Sequence, residues 1–577
     1  MFIKQDAKKN IIGKRELSIY KLKSWKTFIL SLSLLILAPI SSFSQHHQNW
    51  SYNLSIYEVN VRQYTQDGTF AAFETHLERL QKMGVGILWF MPIHPIGQQN
   101  RLGSLGSYYS VKDYLAVNPE FGTLDEFKAL VEKAHDMGMF VIIDWVANHT
   151  AWDNLLTVTN SDWYNKDANG NFIPPPGTNW SDVIDLDYSQ QGLRDYMIDA
   201  MKYWIIETNI DGFRCDAVSW VPLDFWETAI TELKNVKSGI FLLAEGDSPQ
   251  YQNVGFDMTY AWGLHGFGNG VMKRIADRSS NVNELDNYVT NELNNYSNEH
   301  YRMYFTSNHD ENSWHGTVFE QLGNAAEVFA ILTATFNGMP LIYSGQEAGL
   351  NKRLLFFDKD YIEWQQHPFA DIYTTLLNLK KENKALWNGN DGGEFQRVNT
   401  TNDQAVFAFV REKEDDKIFI ILNLSPGYMG GTLLDTLFYG SYTDVFTNDT
   451  ISFDQRASIT LPGWGYKVYK KGGGFTGILD GDELTTEFAL NQNYPNPFNP
   501  NIKIQYVLPR TSRVEIAVYN SLGQKAKTLL SDYISSGFHT ISWDGKDEAG
   551  KNVSSGIYFY QLFAENRIMV KKMILLR

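Results

Sequence analysis

Between Ser55 and Leu379, short apolar runs alternate with longer stretches in which apolar residues recur at helical spacing. That alternation marks repeated βα units on a parallel sheet. The strand candidates are SIYEVNV from Ser55, GILWF from Gly86, MFVIIDWV from Met139, GFRCDAV from Gly212, IFLLAEG from Ile240, DMTYAW from Asp257, RMYFTSN from Arg302 and MPLIYSG from Met339. Eight such strands predict a closed (β/α)8 TIM barrel in an α/β chain. The helices between them are well punctuated. Phe127, Leu130, Val131 and Ala134 form one apolar stripe, with a Thr123–Glu126 capping box before it and Gly138 after it. Phe73, Leu77 and Leu80, closed by Gly84, predict a second helix of the same design. An open doubly wound sheet is the structural rival, but no glycine-rich phosphate turn follows the first strand.

The third strand leads into a polar excursion, 151–185, rich in Asn, Asp, Trp and Pro. So long an insertion predicts a functional loop domain. After Asn383 the period changes to two, as in QAVFAFVRE from Gln404 and KIFIILNLS from Lys417, joined by a charged turn. An all-β sandwich is expected there. Gly472, Gly473 and Gly474, with the acidic DGDE from Asp480, mark a linker rather than a metal loop. A last, immunoglobulin-like β module begins near Leu490 with YPNPFNPN and holds VEIAVYN from Val514, HTISW from His539 and GIYFYQL from Gly556. At the other end, Lys14, Arg15, Lys21, Lys23 and Lys26 precede an apolar run from Phe28 to Ile40 and small residues at Ser42 and Ser44. This is the layout of a secretory signal, too short to span a bilayer. The expected domains are therefore a signal peptide over 1–44, a barrel over 50–390 with its inserted loop domain at 151–185, a β-sandwich over 391–471, a linker over 472–489 and a C-terminal β module over 490–577.

Composition narrows the partner. Against 50 Lys+Arg stand 66 Asp+Glu, a formal charge of -16, which repels polyphosphate and offers no basic stripe for nucleic acid. Aromatic residues make up 14%, with 16 Trp and 31 Tyr, so flat rings for stacking on sugar faces are plentiful. The single cysteine, Cys215, rules out an internal disulfide and leaves stability to a large core. Outside the leader no apolar stretch is long enough to cross a membrane, so the mature chain is not expected to be an integral membrane protein.

Carboxylates recur at strand ends, where a barrel gathers its loops. Asp144 closes strand three, Asp216 strand four, Glu245 strand five and Asp310 strand seven. One of these alone reads as a cap or a solvated end; four converging with His149, His309 and Arg214 read as a site. Cleavage of a glycosidic bond needs one carboxylate to attack the anomeric carbon and one carboxylic acid to protonate the leaving oxygen. Arg214 and Asp216, two apart on a strand, share a face, so the guanidinium is expected to lower the Asp216 pKa and hold it ionised. Crowding by Asp216 and Asp310 is expected to keep Glu245 protonated, as an acid should be. Cys215 points the opposite way, into packing.

Four ordered segments, DWVANHT from Asp144, GFRCDAV from Gly212, LLAEG from Leu242 and FTSNHDEN from Phe305, resemble the signature regions of the α-amylase family of glycoside hydrolases, family thirteen. GVGILWFMPIHP from Gly84, SYYSVKDYLAVNPEFGT from Ser107, VIDLDYS from Val183 and GMPLIYSGQE from Gly338 extend the likeness. The resemblance implies Asp216 as nucleophile, Glu245 as acid/base and Asp310 as the carboxylate gripping sugar hydroxyls. It also implies His149, His309 and Arg214 at the cleaved sugar and Tyr109 stacking beneath it. Asn148 and Asp185 match family ligands of a structural calcium, with the Trp220 carbonyl as a third donor. Many endo-acting relatives carry a Lys-His pair just after the nucleophile strand, where this chain has Ser219 and Trp220. The C-terminal module resembles the sorting domain of the type IX secretion system through YPNPFNP, the YNSLGQ turn, GIYFYQL and the basic tail Lys571, Lys572 and Arg577. The implied protein is a secreted or cell-surface enzyme that hydrolyses internal α-1,4 bonds of starch-like glucans with retention and meets the type IX machinery through its last module. A neopullulanase-like, cyclodextrin-cleaving or glucan-transferring enzyme is the alternative within the family. A surface glucan-binding protein on a decayed barrel is the alternative outside catalysis.

Overall fold

The computed structural model describes residues 47–471 and, with short gaps, 489–576. The expected signal peptide, all of the 472–489 linker but its last residue, Ala489, and most of the YPNPFNPN motif lie outside the described residues.

Eight parallel strands close into a barrel: β1 (Ile56–Val59), β2 (Ile87–Phe90), β3 (Phe140–Trp145), β4 (Gly212–Cys215), β5 (Phe241–Ala244), β6 (Met258–Tyr260), β7 (Tyr301–Tyr304) and β8 (Met339–Tyr343). Each pairs with its sequence neighbours, and β8 closes on β1 with Ile56 beside Leu341. The strands are buried on both faces, which is why they read as continuous apolar runs and not as alternations. Alternate residues nonetheless divide. Ile56, Ile87, Trp89, Ile142, Leu243, Met258 and Met303 fill the barrel interior, while Tyr57, Leu88, Phe90, Val141, Ile143, Phe213 and Leu242 pack under the surrounding helices.

The helix Leu124–Asp136 starts at the expected capping box and buries the expected stripe. The second predicted helix is instead two, Phe70–Glu74 and Leu77–Met83. His76 donates its amide to the Phe73 carbonyl at 2.8 Å, a tight turn that interrupts the helical ladder before Gly84 caps the second piece in the left-handed region. The excursion folds back on the barrel through an antiparallel pair, His149–Ala151 with Val183–Asp185.

Beyond the barrel, six antiparallel strands between Glu394 and Lys471 form one sheet, faced by a two-stranded ribbon of Met429–Thr432 with Ser458–Leu461. One face of the sheet, with Phe407, Phe409, Ile418 and Ile420, joins the barrel's outer core. The other packs Val406, Ala408, Phe419 and Ile421 under Phe438 and Tyr442. The described part of the C-terminal module holds a three-stranded and a four-stranded sheet around Ile504, Ile516, Trp543 and Tyr560. Among the described residues no helix is long and apolar enough to cross a membrane.

Candidate active site

Strand alternation places the chemistry. Ile56, Ile142 and Leu243 point into the barrel, so the residues two further on, Glu58, Asp144 and Glu245, emerge on the same inward side at the C-terminal mouth. On β4 the same parity carries Arg214 and then Asp216, while Phe213 and Cys215 belong to the outer core. Gly212 starts this strand because a Cβ there would collide with the Phe241 carbonyl oxygen of β5.

Arg214, fully buried, is the hub. Its Nη1 lies 2.9 Å from Asp144 Oδ1 and 2.8 Å from Asp216 Oδ1, and its Nη2 lies 2.8 Å from Glu245 Oε1. The Nε donates to the Tyr260 hydroxyl at 3.1 Å. Asp144 is saturated: its second oxygen accepts the Trp89 indole N–H at 3.2 Å and the Tyr109 hydroxyl at 3.1 Å. The side chains of Asp144 and Glu58 are closed to solvent, whereas those of Asp216, Glu245 and Asp310 keep 11%, 19% and 28% exposure. Only the latter three can touch a ligand. Of the four strand-end carboxylates read from the sequence, Asp144 is thus a support for the other groups.

Electrostatics corrects one expectation. Arg214 does draw the Asp216 pKa down, but burial is the larger effect and Asp144 adds to it, so the Asp216 carboxyl is pushed up to about 6. Burial also lifts Glu245, Arg214 opposes it, and Asp216 and Asp310 push the same way as burial, to about 7. The ordering survives: Glu245 keeps its proton to higher pH than Asp216. The second oxygen of Glu245 accepts the Ala217 amide at 2.7 Å. Ala217 holds φ 45° and ψ 42°, a left-handed conformation costly for a residue with a Cβ.

His309 and Asp310 lie beyond β7, which ends at Tyr304, at the start of the helical turn that continues as a π-helix over Glu311–His315. Both therefore reach the site without strand alternation. His309 Nδ1 meets Glu58 Oε1 at 2.5 Å, and its Nε2 lies 2.7 Å from the Tyr109 hydroxyl and 3.3 Å from Asp310 Oδ2. Burial lowers this imidazole's pKa, but Asp310 and Glu58 outweigh burial and carry it to about 9. His149 is the opposite case: burial takes it down to about 4, so it is neutral at pH 7. Glu58 was not among the residues singled out from the sequence, although a lone carboxylate at the end of the first apolar run is the signal that carries it.

Asn148 and Asp185 come together where the excursion rejoins the barrel: Asp185 pairs with His149, and the Leu186 amide donates to the Asn148 carbonyl at 3.1 Å. Burial raises the Asp185 pKa, and one of its oxygens accepts the Asn165 amide at 2.7 Å. A buried carboxylate with a carboxamide beside it is a hard oxygen donor set, which suits calcium in kind. Among the described residues no group of three or more His, Cys, Asp or Glu forms a metal cluster.

The family described as alpha amylase, catalytic domain, matches residues 42–417, and the alpha amylase C-terminal all-beta domain matches residues 397–477. The FlgD Ig-like domain matches residues 499–567. Among curated proteins, alpha-amylase 3 of Dictyoglomus thermophilum is 22% identical over 475 residues, covering 70% of this chain and 91% of the relative. A cyclomaltodextrinase of Thermoanaerobacter pseudethanolicus is 24% identical over 379 residues, 60% of this chain and 62% of that protein's length. Among solved structures, a noncanonic maltogenic alpha-amylase from Thermotoga neapolitana superposes with a TM-score of 0.66 at 30% identity, over 73% of this chain and 98% of its own.

Proposed function

This chain belongs to the alpha-amylase family and is a glycoside hydrolase, and from that premise we propose that it cleaves internal α-1,4-glucosidic bonds of starch-like polymers and maltooligosaccharides with retention of configuration. The observation that carries the proposal is the single Arg214 guanidinium that holds Asp216 on one terminal nitrogen and Glu245 on the other, each at 2.8 Å. One cation clamping both carboxyls favours the short separation that direct attack requires over a gap wide enough for an intervening water.

In the first step the Asp216 oxygen not held by Arg214 bonds to the anomeric carbon as the glycosidic C–O bond breaks, and the Glu245 proton passes to the leaving oxygen. In the second, Glu245 takes a proton from water, the water oxygen bonds to the anomeric carbon and Asp216 leaves. Asp310 grips sugar hydroxyls and Tyr109 stacks under the ring, while Arg214, His309 and His149, nearly closed to solvent, back the cleaved sugar's site from beneath. Proton NMR of the first product from maltohexaose tests this: an α-anomer is expected, and a β-anomer refutes retention. Ser219 and Trp220 behind the nucleophile, with the cyclomaltodextrinase and maltogenic relatives, support a second reading in which cyclic or short glucans are preferred. Product profiles on starch, pullulan and cyclodextrin decide between the two.

A calcium held by Asn148 and Asp185 would pin the excursion to the barrel without entering the chemistry. The immunoglobulin-like module, we infer further, is a type IX sorting domain on a protein exported by its N-terminal signal.

A further inference from the structure

Asp310 stands at the head of a turn whose buried underside takes no part in the mechanism above. Glu311–His315 form a single π-helical turn, closed by the Gly316 amide donating to the Glu311 carbonyl at 2.8 Å. Turns this wide are rare and gather at functional sites. Glu311 is closed to solvent, and among the described residues neither of its carboxyl oxygens accepts a hydrogen bond. Each faces an imidazole instead: Oε1 lies 3.5 Å from His265 Nδ1, and Oε2 lies 3.2 Å from His315 Nδ1. His265 ends the short helix Trp262–His265 that follows β6, and His315 ends the π-helical turn itself. The His265 ring is a rigid anchor, stacked on Phe305 at 4.9 Å and 20°, with its Nε2 3.0 Å from the Thr306 carbonyl. That carbonyl takes one ring proton, so His265 meets Glu311 as a donor only with both nitrogens protonated. Burying a carboxylate is costly even when it is paired, so stability does not account for Glu311.

Its neighbour in the chain does. The Asp310 side chain keeps 28% exposure and lies 3.3 Å from His309 Nε2, so its aim depends on the backbone beneath it. That backbone is held just after Asp310: the Glu311 amide donates to Asn308 Oδ1 at 2.8 Å, and the Glu311 side chain reaches down to the two imidazoles. The next residues tie the turn to the loop after β8, where the Leu354 amide donates to Asn312 Oδ1 at 2.9 Å and the Ser313 hydroxyl donates to the Leu354 carbonyl at 3.1 Å. We propose that Glu311 is a positioning residue for Asp310: shared between His265 and His315, it pins the π-helical turn to the β6 loop and so aims the carboxylate that grips the sugar. The inference rests on the hydrolase assignment above and on the part Asp310 plays in it. A misdirected Asp310 loses its hold on the distorted sugar more than on the undistorted substrate. Loss of a contact made mainly in the transition state lowers kcat and leaves KM nearly unchanged.

Glu311→Leu removes both oxygens and leaves an apolar side chain in a buried place. On maltohexaose, kcat should fall about tenfold with KM within about twofold. Glu311→Gln, which can accept from one ring and donate to the other, should restore most of the loss. Asp310 acts on the sugar under attack and not on the leaving group, so kcat on α-maltosyl fluoride should fall by the same factor. In an Asp310→Asn background Glu311→Leu should cost less than about twofold, because the group it aims is already disabled. Losses that multiply in full in the double variant would overturn the proposal, as would a raised KM with kcat intact. A lower melting temperature with unchanged kinetics would make the pair merely structural and overturn it too. If Glu311→Leu does not fold, His315→Leu, at the more exposed end of the pair, takes its place under the same outcomes. Wild-type inertness toward both donors would strike at the hydrolase assignment and take the proposal with it, whereas multiplying losses in an active enzyme strike at Glu311 alone.

Discussion

Replacing Glu245 with glutamine separates proton donation from everything else this residue does. Both carboxyl oxygens are in use, Oε2 accepting the Ala217 amide at 2.7 Å and Oε1 facing Arg214 Nη2 at 2.8 Å. Glutamine has one acceptor oxygen, so one of these contacts becomes donor against donor, costing about 1–3 kcal/mol of folding stability. A lower thermal midpoint is therefore expected alongside the catalytic defect. Loss of a positioned acid costs roughly 10²- to 10⁴-fold, or about 3–5 kcal/mol of barrier, on a substrate whose leaving group is a sugar alkoxide. Fluoride leaves unaided, so on α-maltosyl fluoride the first step should suffer far less, and the enzyme should accumulate glycosylated at Asp216 for want of a base. Azide, which attacks without deprotonation, should then restore turnover and yield α-maltosyl azide. Equal losses on maltohexaose and on the fluoride, with no response to azide, would refute the acid/base assignment even if activity were low.

The pH profile of kcat/KM should be a narrow bell. Activity is lost as pH falls through about 6, where Asp216 takes up a proton, and as pH rises through about 7, where Glu245 gives one up; full activity at pH 9 contradicts this. Glu58→Gln should lower the His309 pKa from about 9 toward 6.5, because one of the two anions that raise it is gone. The stability His309 contributes is fully present below about 6.5 and lost as pH rises through about 9, so NMR titration of the ring and melting at pH 6 against pH 10 should both register the change. If calcium binds at Asn148 and Asp185, excess chelator should lower the melting temperature by mass action, and identical melts remove the ion. Truncation after Lys471 should leave kcat/KM on soluble maltooligosaccharide within about tenfold, some 1.4 kcal/mol, while the protein stays behind in its native cell envelope.

The barrel is legible because each strand is a short apolar run sealed on both faces, and its site is legible where strand parity carries it, as with Arg214, Asp216 and Glu245. What fails is whatever depends on closure. Glu58 sits between Tyr57 and Val59 in SIYEVNV, the one charged residue in an otherwise largely apolar run. Only the loop beyond β7 folding over the mouth brings His309 to it. The sign of the Asp216 shift escapes sequence for a like reason: a nearby arginine can be counted along a strand, whereas the depth of burial belongs to the whole barrel. The stacking of Trp180 on Trp220 joins residues forty positions apart through an excursion with no periodic pattern.

Cys215 stands on β4 between the hub arginine and the proposed nucleophile, buried, its thiol pushed up by burial. Because it is the chain's one cysteine, thiol-selective reagents have a single target, and that target becomes reactive only when the strand beneath the site opens. The protein therefore carries its own clock for breathing of the catalytic floor. The rate of thiol labelling under native conditions, with and without a bound glucan, reads how far ligand occupancy suppresses that opening, with no probe introduced and no residue changed.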